Sequence, residues 1–223
     1  MNLKTIFKYI IKIIIFCIVV FIIVLIIKSL KPQQPNTIPQ NAITMEFPLK
    51  NGRYLINFNG PSQSIFSEPI HQSQAEKYAL DITKDTNIKD LISVILTHKF
   101  KNNSTFGTPI YSPCVGNIKE AKNDQVDLPI GTRDKKNASG NHVVLGCYQF
   151  DVVLAHMKQG SVAVKTGQMV KIGDLLGEIG NSGNTGAPHL HIAATKTYDK
   201  DKIMPLPIVF NGRYLLSGDV IDN

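Results

Sequence analysis

The pattern of apolar and polar positions divides the chain into three parts. Residues Ile13 to Ile27 are apolar without a break, and extending this run back to Tyr9 gives the roughly 20 residues that span a bilayer as a helix. The next segment is rich in Pro, Gln, Asn and Thr and has little to bury, which is typical of a linker. We therefore predict a transmembrane anchor over 1–28, a linker over 29–45 and a folded domain over 46–223.

The apolar N-terminal run has two interpretations, an uncleaved anchor or a cleaved signal peptide. A signal peptide would have a shorter apolar core and small residues at a cleavage site, and neither feature is present. Lys12 lies near one end of the span, where its long side chain can reach the lipid headgroups. The sequence therefore favours a single-pass anchor, although lysines on both sides leave its orientation open.

Beyond the linker, short apolar runs alternate with Gly, Pro, Asn and Asp, a texture that predicts antiparallel β-strands. Glycines recur between short apolar pairs in Val164–Gly177, a pattern that occurs in barrel-sandwich domains. Helical spacing is found only in Asp85–Phe100. The segment Asn123–Asn141 reads as a loop long enough to form the rim of a site. We predict a mainly β domain, an antiparallel sheet or barrel-sandwich, with an N-terminal transmembrane helix.

The net charge of the chain and its motifs indicate which kinds of partner it can bind. The formal net charge is +7 at pH 7, which suits a polyanionic surface, although a solvated basic face is an equal alternative. The sequence contains no aromatic-basic ribonucleoprotein motif, no zinc-finger spacing and no basic helix. We therefore expect no nucleic-acid partner.

Two histidines stand two residues apart in the run PHLHIAA. Because side chains alternate across a strand, His189 and His191 should point to the same side. Two charged imidazoles at that spacing would repel each other, so a metal ion or a shared catalytic pocket would favour the arrangement. The turn-rich segment 180–188 precedes the pair, as loops often do at functional sites.

Two further residues are candidates for the same site. His156 ends the strand-like run FDVVLAH, and Asp81 lies in the apolar run KYALDIT, where an unpaired carboxylate would be costly. A catalytic zinc site needs three protein ligands and an open position for water. His71, ten residues before Asp81, is a further candidate, whereas His98 falls in the predicted helix and is read as structural.

Taken together, these runs resemble the lysostaphin-type zinc endopeptidases of bacterial cell walls. The resemblance covers most of the chain after the linker. It runs through KYALDI, FGTPIYSPCVGNI, SGNHVVL, the long stretch from VVLAHMKQG to GNSGNTGAPHLHI, and PIVFNGRYL. It implies the duplicated hybrid motif fold and a zinc ion as cofactor.

The resemblance also implies roles for individual residues. Asp81 and His191 would be zinc ligands, and His156 and His189 would be catalytic. The commonest family pattern places a third ligand four residues before the aspartate, but Lys77 occupies that position. The resemblance to a subgroup that takes this histidine from further upstream makes His71 the predicted third ligand.

The implied activity is hydrolysis of peptide bonds in peptidoglycan, in a cross-bridge or a stem peptide, through a zinc-activated water. Localisation would be the cytoplasmic (inner) membrane, with the domain on the extracytoplasmic side facing the wall. The alternative is a degenerate domain of the same fold that binds wall or activates another hydrolase. A second alternative is a tethered component of a secretion or conjugation assembly, so a divisome, secretion or amidase partner is left open.

The cysteines bear on the compartment. Cys114 and Cys147 both follow strand-like segments of the domain expected outside the cytoplasm, whereas Cys17 lies in the apolar run. An even pair in an oxidising compartment predicts a disulfide, and two separate buried thiols are the alternative.

Overall fold

A computed structural model describes residues 3–29, 37–59, 73–85, 104–198 and 202–223. The chain divides into two compact units, residues 1–36 and 37–223. The described elements are helix α1 (Leu3–Ser29), a 3-10 helix (Gln74–Glu76) and strands β1 (Ile43–Met45), β2 (Arg53–Asn59), β3 (Leu80–Lys84), β4 (Pro109–Tyr111), β5 (Gly116–Lys122), β6 (Asn141–Cys147), β7 (Phe150–Met157), β8 (Met169–Val170), β9 (Leu175–Glu178), β10 (Leu190–Tyr198), β11 (Lys202–Leu206), β12 (Ile208–Phe210), β13 (Arg213–Tyr214) and β14 (Val220–Asp222).

The first unit contains helix α1, whose described side chains, at Phe7 and from Tyr9 to Phe21, are all exposed. Among the residues that the structure describes, no helix is both long enough and apolar enough to cross a membrane. The membrane span therefore stays a prediction from the sequence.

The second unit is built from β-strands, and the prediction of a mainly β, antiparallel domain is confirmed. In the described residues the largest sheet has nine strands, in the order β14-β2-β3-β10-β7-β6-β5-β8, with β11 also paired to β10. Strands β1, β12 and β13 form a second sheet, and β4 pairs with β9. Strand β1 lies at the end of the predicted linker and pairs with β12, so the folded unit begins before residue 46.

Side chains along the central strands point alternately into the core and towards the opposite face of the sheet. On β3, Leu80 and Ile82 are buried in the hydrophobic core, so Asp81 between them points to the opposite face. On β10, Leu190 and Ile192 belong to the same core, and His191 between them points away from it. The strands are paired so that Asp81 and His191 lie directly opposite each other.

Strand β7 departs from simple alternation at the end that approaches the site. Between the pairs Asn141–Met157 and Val143–Leu154, two residues of β7 oppose one residue of β6, which defines a β-bulge at Ala155 and His156. Leu154 and Met157 both enter the core, and His156 has a φ of 61°. The bulge therefore turns His156 out of the core and towards the face that carries His191.

The sequence also predicts a disulfide and a helix in this unit. Cys114 and Cys147 form a disulfide with a Cα–Cα distance of 6.1 Å, so the disulfide prediction is confirmed. It joins the segment just before β5 to the end of β6. The helix predicted over Asp85–Phe100 lies outside the described residues from position 86 onward.

Candidate active site

The centre of the site is a buried carboxylate between two imidazoles. The Oδ1 atom of Asp81 lies 3.0 Å from Nδ1 of His191 and 3.4 Å from Nε2 of His189. The side chain of Asp81 is only 9% exposed. A carboxylate at this depth needs close positive or polar partners, and both histidines supply them.

His189 lies just before β10 and is oriented by its own loop. Its Nδ1 is 2.9 Å from the carbonyl oxygen of Ala187 and 3.1 Å from Oγ1 of Thr185. The Thr185 hydroxyl in turn donates to the Ala187 carbonyl at 2.7 Å. A proton on Nδ1 of His189 is therefore held by the main chain, and Nε2 faces Asp81.

His156 is oriented from the opposite side. Its Nδ1 donates to the main-chain carbonyl of Ser182 at 3.0 Å, which fixes the tautomer and leaves Nε2 as an acceptor. Its ring centroid lies 4.8 Å from that of His189 and 5.7 Å from that of His191. The left-handed backbone of His156 is sparsely populated by residues other than glycine, and such strain is concentrated at functional sites.

A buried polar network supports this strained position. Ser182 Oγ accepts from the amide of Asn141 at 2.9 Å and donates to the carbonyl of Met157 at 2.7 Å. The Asn141 side chain donates to the Met157 carbonyl at 3.1 Å and accepts from the amide of Gln125 at 2.8 Å. The amide of His156 donates to the carbonyl of Ser139 at 3.0 Å. Fully satisfied buried networks of this kind rigidify a site.

The predicted loop Asn123–Asn141 lies against the turn-rich loop that precedes His189. Its backbone amides at Leu128, Gly131 and Asp134 donate to carbonyls of that loop at 2.8–3.0 Å. In the same contact, a side chain at Gly183 would lie 2.5 Å from the Ala138 carbonyl, so only glycine fits there. The two loops thus form one rigid rim beside the histidines.

The histidines differ in their affinity for protons. Burial lowers the pKa of His156 well below its ordinary value of 6.5, and the neighbouring charges of His189 and His191 lower it further. Burial also acts to lower the pKa of His189, but the charge of Asp81 and its hydrogen bond outweigh burial and raise it. A pair of titratable groups whose pKa values are pushed apart is suited to separate base and acid tasks.

The structure brings together four of the five predicted site residues, Asp81, His156, His189 and His191. The fifth, His71, lies outside the described residues. The three histidines alone form a group that could hold a metal ion, with ligand atoms within 4.8 Å of one another. His142, the second residue of β6, lies outside this group and bonds to the Gly140 carbonyl and to Glu120.

Sequence reasoning missed the supporting residues of the site. Asp127 has the sequence context of a solvated loop acid, but its two oxygens accept from the amides of Asn181 at 2.7 Å and Gln159 at 3.0 Å. Ser182 and Asn141 likewise carry no sign of their partners in the sequence. The only signal for them was their position in turn-rich segments flanking the histidines, which does not reveal a hydrogen-bond partner.

Comparison with known sequences agrees with this constellation. Residues 99–205 match the sequence model of Peptidase family M23. The chain therefore contains a peptidase family M23 domain. The matched segment includes His156, His189 and His191, whereas Asp81 precedes it. By family the matched domain is therefore of the zinc metallopeptidase type, as the lysostaphin-type resemblance predicted.

Solved structures similar to this M23 chain include the solution structure of lysostaphin, with 19% identity and a TM-score of 0.43 over 69% of this chain and 48% of that one. A zinc-containing peptidase from Vibrio cholerae has 16% identity and a TM-score of 0.44 over 74% and 39%. A mutant catalytic domain of the prophage-encoded M23 protein EnpA from Enterococcus faecalis has 16% identity and a TM-score of 0.45 over 70% and 92%. The match thus spans about half or less of the first two proteins. No curated protein sequence matches the chain significantly.

Proposed function

We propose that this M23 chain is a membrane-anchored, zinc-dependent endopeptidase that hydrolyses peptide bonds of bacterial peptidoglycan. The observation that carries the proposal is the convergence of Asp81, His156, His189 and His191 on one face of the sheet. Asp81 and His191 would hold the metal together with His71, and His156 and His189 would act on the substrate and the attacking water.

The donor atoms suit zinc. Ligands at 2.0–2.2 Å in tetrahedral geometry lie about 3.3 Å from each other. The 3.0 Å between Asp81 Oδ1 and His191 Nδ1 is close to that separation. A site of three histidines is the other donor set, but it would leave the buried carboxylate of Asp81 without a task. The aspartate set is therefore the better fit.

Bound zinc would polarise the scissile carbonyl and lower the pKa of a coordinated water towards ~7. The chain's own residues would move the proton. His156 presents an unprotonated Nε2 because Ser182 holds its Nδ1 proton and because its pKa is lowered. His189, whose Nδ1 is held by the Ala187 carbonyl, would carry a proton on Nε2 when it hydrogen-bonds the developing oxyanion.

Peptidoglycan is proposed as the substrate because of the family resemblance and the basic balance of the chain. Of the net charge of +7, five positive charges lie in residues 1–36, and the remaining domain keeps a small positive balance that suits an anionic wall polymer. The disulfide between Cys114 and Cys147 supports an oxidising, extracytoplasmic compartment for the domain. The anchor is inferred from the apolar run Ile13–Ile27.

The proposal is tested with the full chain in mild detergent. Zinc content is measured by elemental analysis, and hydrolysis of purified peptidoglycan is followed by the release of new amino groups. We expect about one zinc per chain and both signals lost in His191→Ala. Unchanged zinc and unchanged hydrolysis in that variant would contradict the mechanism, and peptidoglycan binding without hydrolysis would favour a degenerate wall-binding domain.

The anchor needs a separate experiment. Full chain and a variant lacking residues 1–28 are expressed in bacteria and fractionated, and the membrane pellet is washed with alkaline carbonate. We expect the full chain to resist extraction and the shortened chain to leave the membrane fraction. External protease should then digest the domain in cells whose inner membrane is intact, and full protection would place the domain on the cytoplasmic side.

A further inference from the structure

The rim beside the histidines carries an exposed arginine, Arg133. The residues on either side of it are anchored to the loop that precedes His189. The amide of Gly131 donates to the Gly186 carbonyl at 2.8 Å, and the amide of Asp134 donates to the Gly183 carbonyl at 2.9 Å. The backbone of Arg133 is therefore fixed at the edge of the site.

The guanidinium of Arg133 lies over the backbone of Gly186. A Cβ atom placed on Gly186 would be 3.1 Å from the nearer terminal nitrogen of Arg133 and 3.6 Å from its Nε. Gly186 precedes His189 by three positions in the loop that orients this histidine. The guanidinium thus lies within electrostatic reach of the reacting groups.

Arg133 makes no hydrogen bond or ion pair with any residue in the described ranges. The side chain of its neighbour Asp134, by contrast, is hydrogen-bonded within the loop. Its carboxylate accepts from the amides of Lys136 and Asn137 and from the Asn137 side chain. Asp134 therefore stabilises the loop, whereas the five N–H donors of Arg133 are available to a ligand.

An arginine is suited to one class of ligand in particular. Its planar guanidinium pairs with a carboxylate through two parallel hydrogen bonds, which gives geometric selectivity that a lysine lacks. The peptides proposed above as substrates offer carboxylates at their C-termini and on acidic side chains. A carboxylate held at Arg133 would place the adjoining peptide against His189.

We propose that Arg133 is a specificity residue that binds a free carboxylate of the peptide being cleaved, so that the enzyme prefers acidic peptides to their amidated forms. This inference rests on the proposed function, because it concerns recognition at the same site. The carboxylate is either C-terminal or on a side chain, and the test separates these two sources.

The test uses two matched pairs of synthetic wall peptides, one pair differing only in a C-terminal carboxylate or amide and the other only in a Glu or Gln side chain. The full chain is compared with Arg133→Gln, Arg133→Lys and the control Lys136→Gln, which removes the same charge from an exposed position of the same loop. Steady-state kinetics give kcat and KM. Calorimetry after metal chelation gives Kd without turnover.

We expect Arg133→Gln to raise KM and Kd roughly three- to tenfold for the carboxylate member of one pair and to leave its amidated partner unchanged. Arg133→Lys should recover part of the preference, and Lys136→Gln should have no effect. The pair that responds identifies the source of the carboxylate.

The test distinguishes failure of the role proposed for Arg133 from failure of the proposed endopeptidase function. Hydrolysis by the wild-type chain with no preference in either pair would overturn the role of Arg133 and leave the proposed function standing, and so would an equal effect of Lys136→Gln. Carboxylate-selective binding that depends on Arg133, without hydrolysis by the zinc-loaded chain, would uphold the role of Arg133 and overturn the endopeptidase proposal. Absence of both binding and hydrolysis would overturn both.

Discussion

The Nδ1 atom of His191 lies 3.0 Å from Oδ1 of Asp81, although the two residues are 110 positions apart in the chain. The register between β3 and β10 places them opposite each other, each between two core residues of its own strand. Their separation is therefore set by the sheet and not by a flexible loop. A site built on paired strands is held in position without ligand.

Asp81→Asn tests the carboxylate as a ligand. The amide keeps the shape of the side chain but removes its charge, so we expect zinc affinity to fall by more than about 100-fold and hydrolysis to be lost. Asp85→Asn is the control, since Asp85 forms an exposed ion pair with Arg53 at 3.0 Å. Zinc content and peptidoglycan hydrolysis are measured for both variants. An Asp81→Asn chain that still holds stoichiometric zinc would argue for the three-histidine donor set.

The third ligand is tested with a pair of histidines that lie outside the described residues. We expect His71→Ala to lose zinc and activity, because a catalytic zinc needs three protein ligands. His98→Ala should retain both, since His98 is predicted to be structural. Equilibrium dialysis against zinc measures the difference. Loss of zinc in His98→Ala with retention in His71→Ala would reverse the assignment.

The sequence allowed much of this site to be predicted because its residues obey alternation. Asp81 and His191 lie between apolar neighbours on their strands, so period two alone places them on the face away from the core. His156 departs from this alternation of side chains. Val152 and Leu154 enter the core, and strict alternation would place the side chain of His156 in the core as well. The β-bulge and the left-handed backbone reverse that direction, and neither is encoded in a local pattern of polarity.

The residues that hold the site in position could not be predicted from the sequence, for a different reason. Asp127, Asn141 and Ser182 act through main-chain partners that are 16 to 54 positions away. Main-chain donors and acceptors are present at nearly every residue, so no residue type marks the partner. Only the three-dimensional meeting of the two loops shows which amide and which carbonyl each side chain reaches.

The lowered pKa of His156 predicts a dependence of stability on pH. Because the native state binds this proton less tightly than the unfolded state, stability attributable to His156 is present above the ordinary pKa of 6.5 and is lost as the pH falls below it. Asn tolerates the left-handed backbone, so His156→Asn removes the titrating group with little added strain. Urea unfolding after chelation of metal ions is measured from pH 7.5 to 5, a range chosen to be about one unit or more on either side of that value.

We expect the free energy of unfolding of the wild type to fall relative to His156→Asn over that range, by at most about 1.4 kcal/mol per pH unit for one proton. His189 contributes with the opposite sign, because its pKa is raised and its stabilisation is lost as the pH increases. Since His189 is present in both chains, the difference isolates His156 to first order. Parallel curves for the two chains would contradict a buried neutral His156.

The disulfide should contribute to stability without taking part in the chemistry. Cys114 and Cys147 close a loop with a separation of 33 residues, and the chain-entropy relation gives about 3–4 kcal/mol for a loop of that length. We expect the free energy of unfolding of the double variant Cys114→Ala with Cys147→Ala, measured in urea, to be lower by that amount. The variant should retain hydrolysis at low temperature. Cys17→Ser is the control, and free-thiol titration of the wild type should detect Cys17 alone.

Asp127 holds the two halves of the rim together and should act as a positioning residue. Each of its carboxylate oxygens accepts from a backbone amide, that of Asn181 and that of Gln159. Asparagine supplies only one acceptor, so Asp127→Asn would set its NH2 group against one of these donors, at a cost of about 1–3 kcal/mol. Since Asn181 begins the loop that orients both His156 and His189, we expect kcat to fall roughly tenfold, by loss of alignment alone.

The measurement that separates positioning from metal binding in Asp127→Asn is zinc content beside kcat and KM. KM and zinc content should change little, because Asp81 and His191 are held by the pairing of β3 with β10 and not by this loop. Asp124→Asn is the matched control, as Asp124 is exposed and, among the described residues, bonds only its neighbour's side chain. A fall in zinc content equal to the fall in kcat would show that Asp127 supports the metal ligands instead of the catalytic histidines.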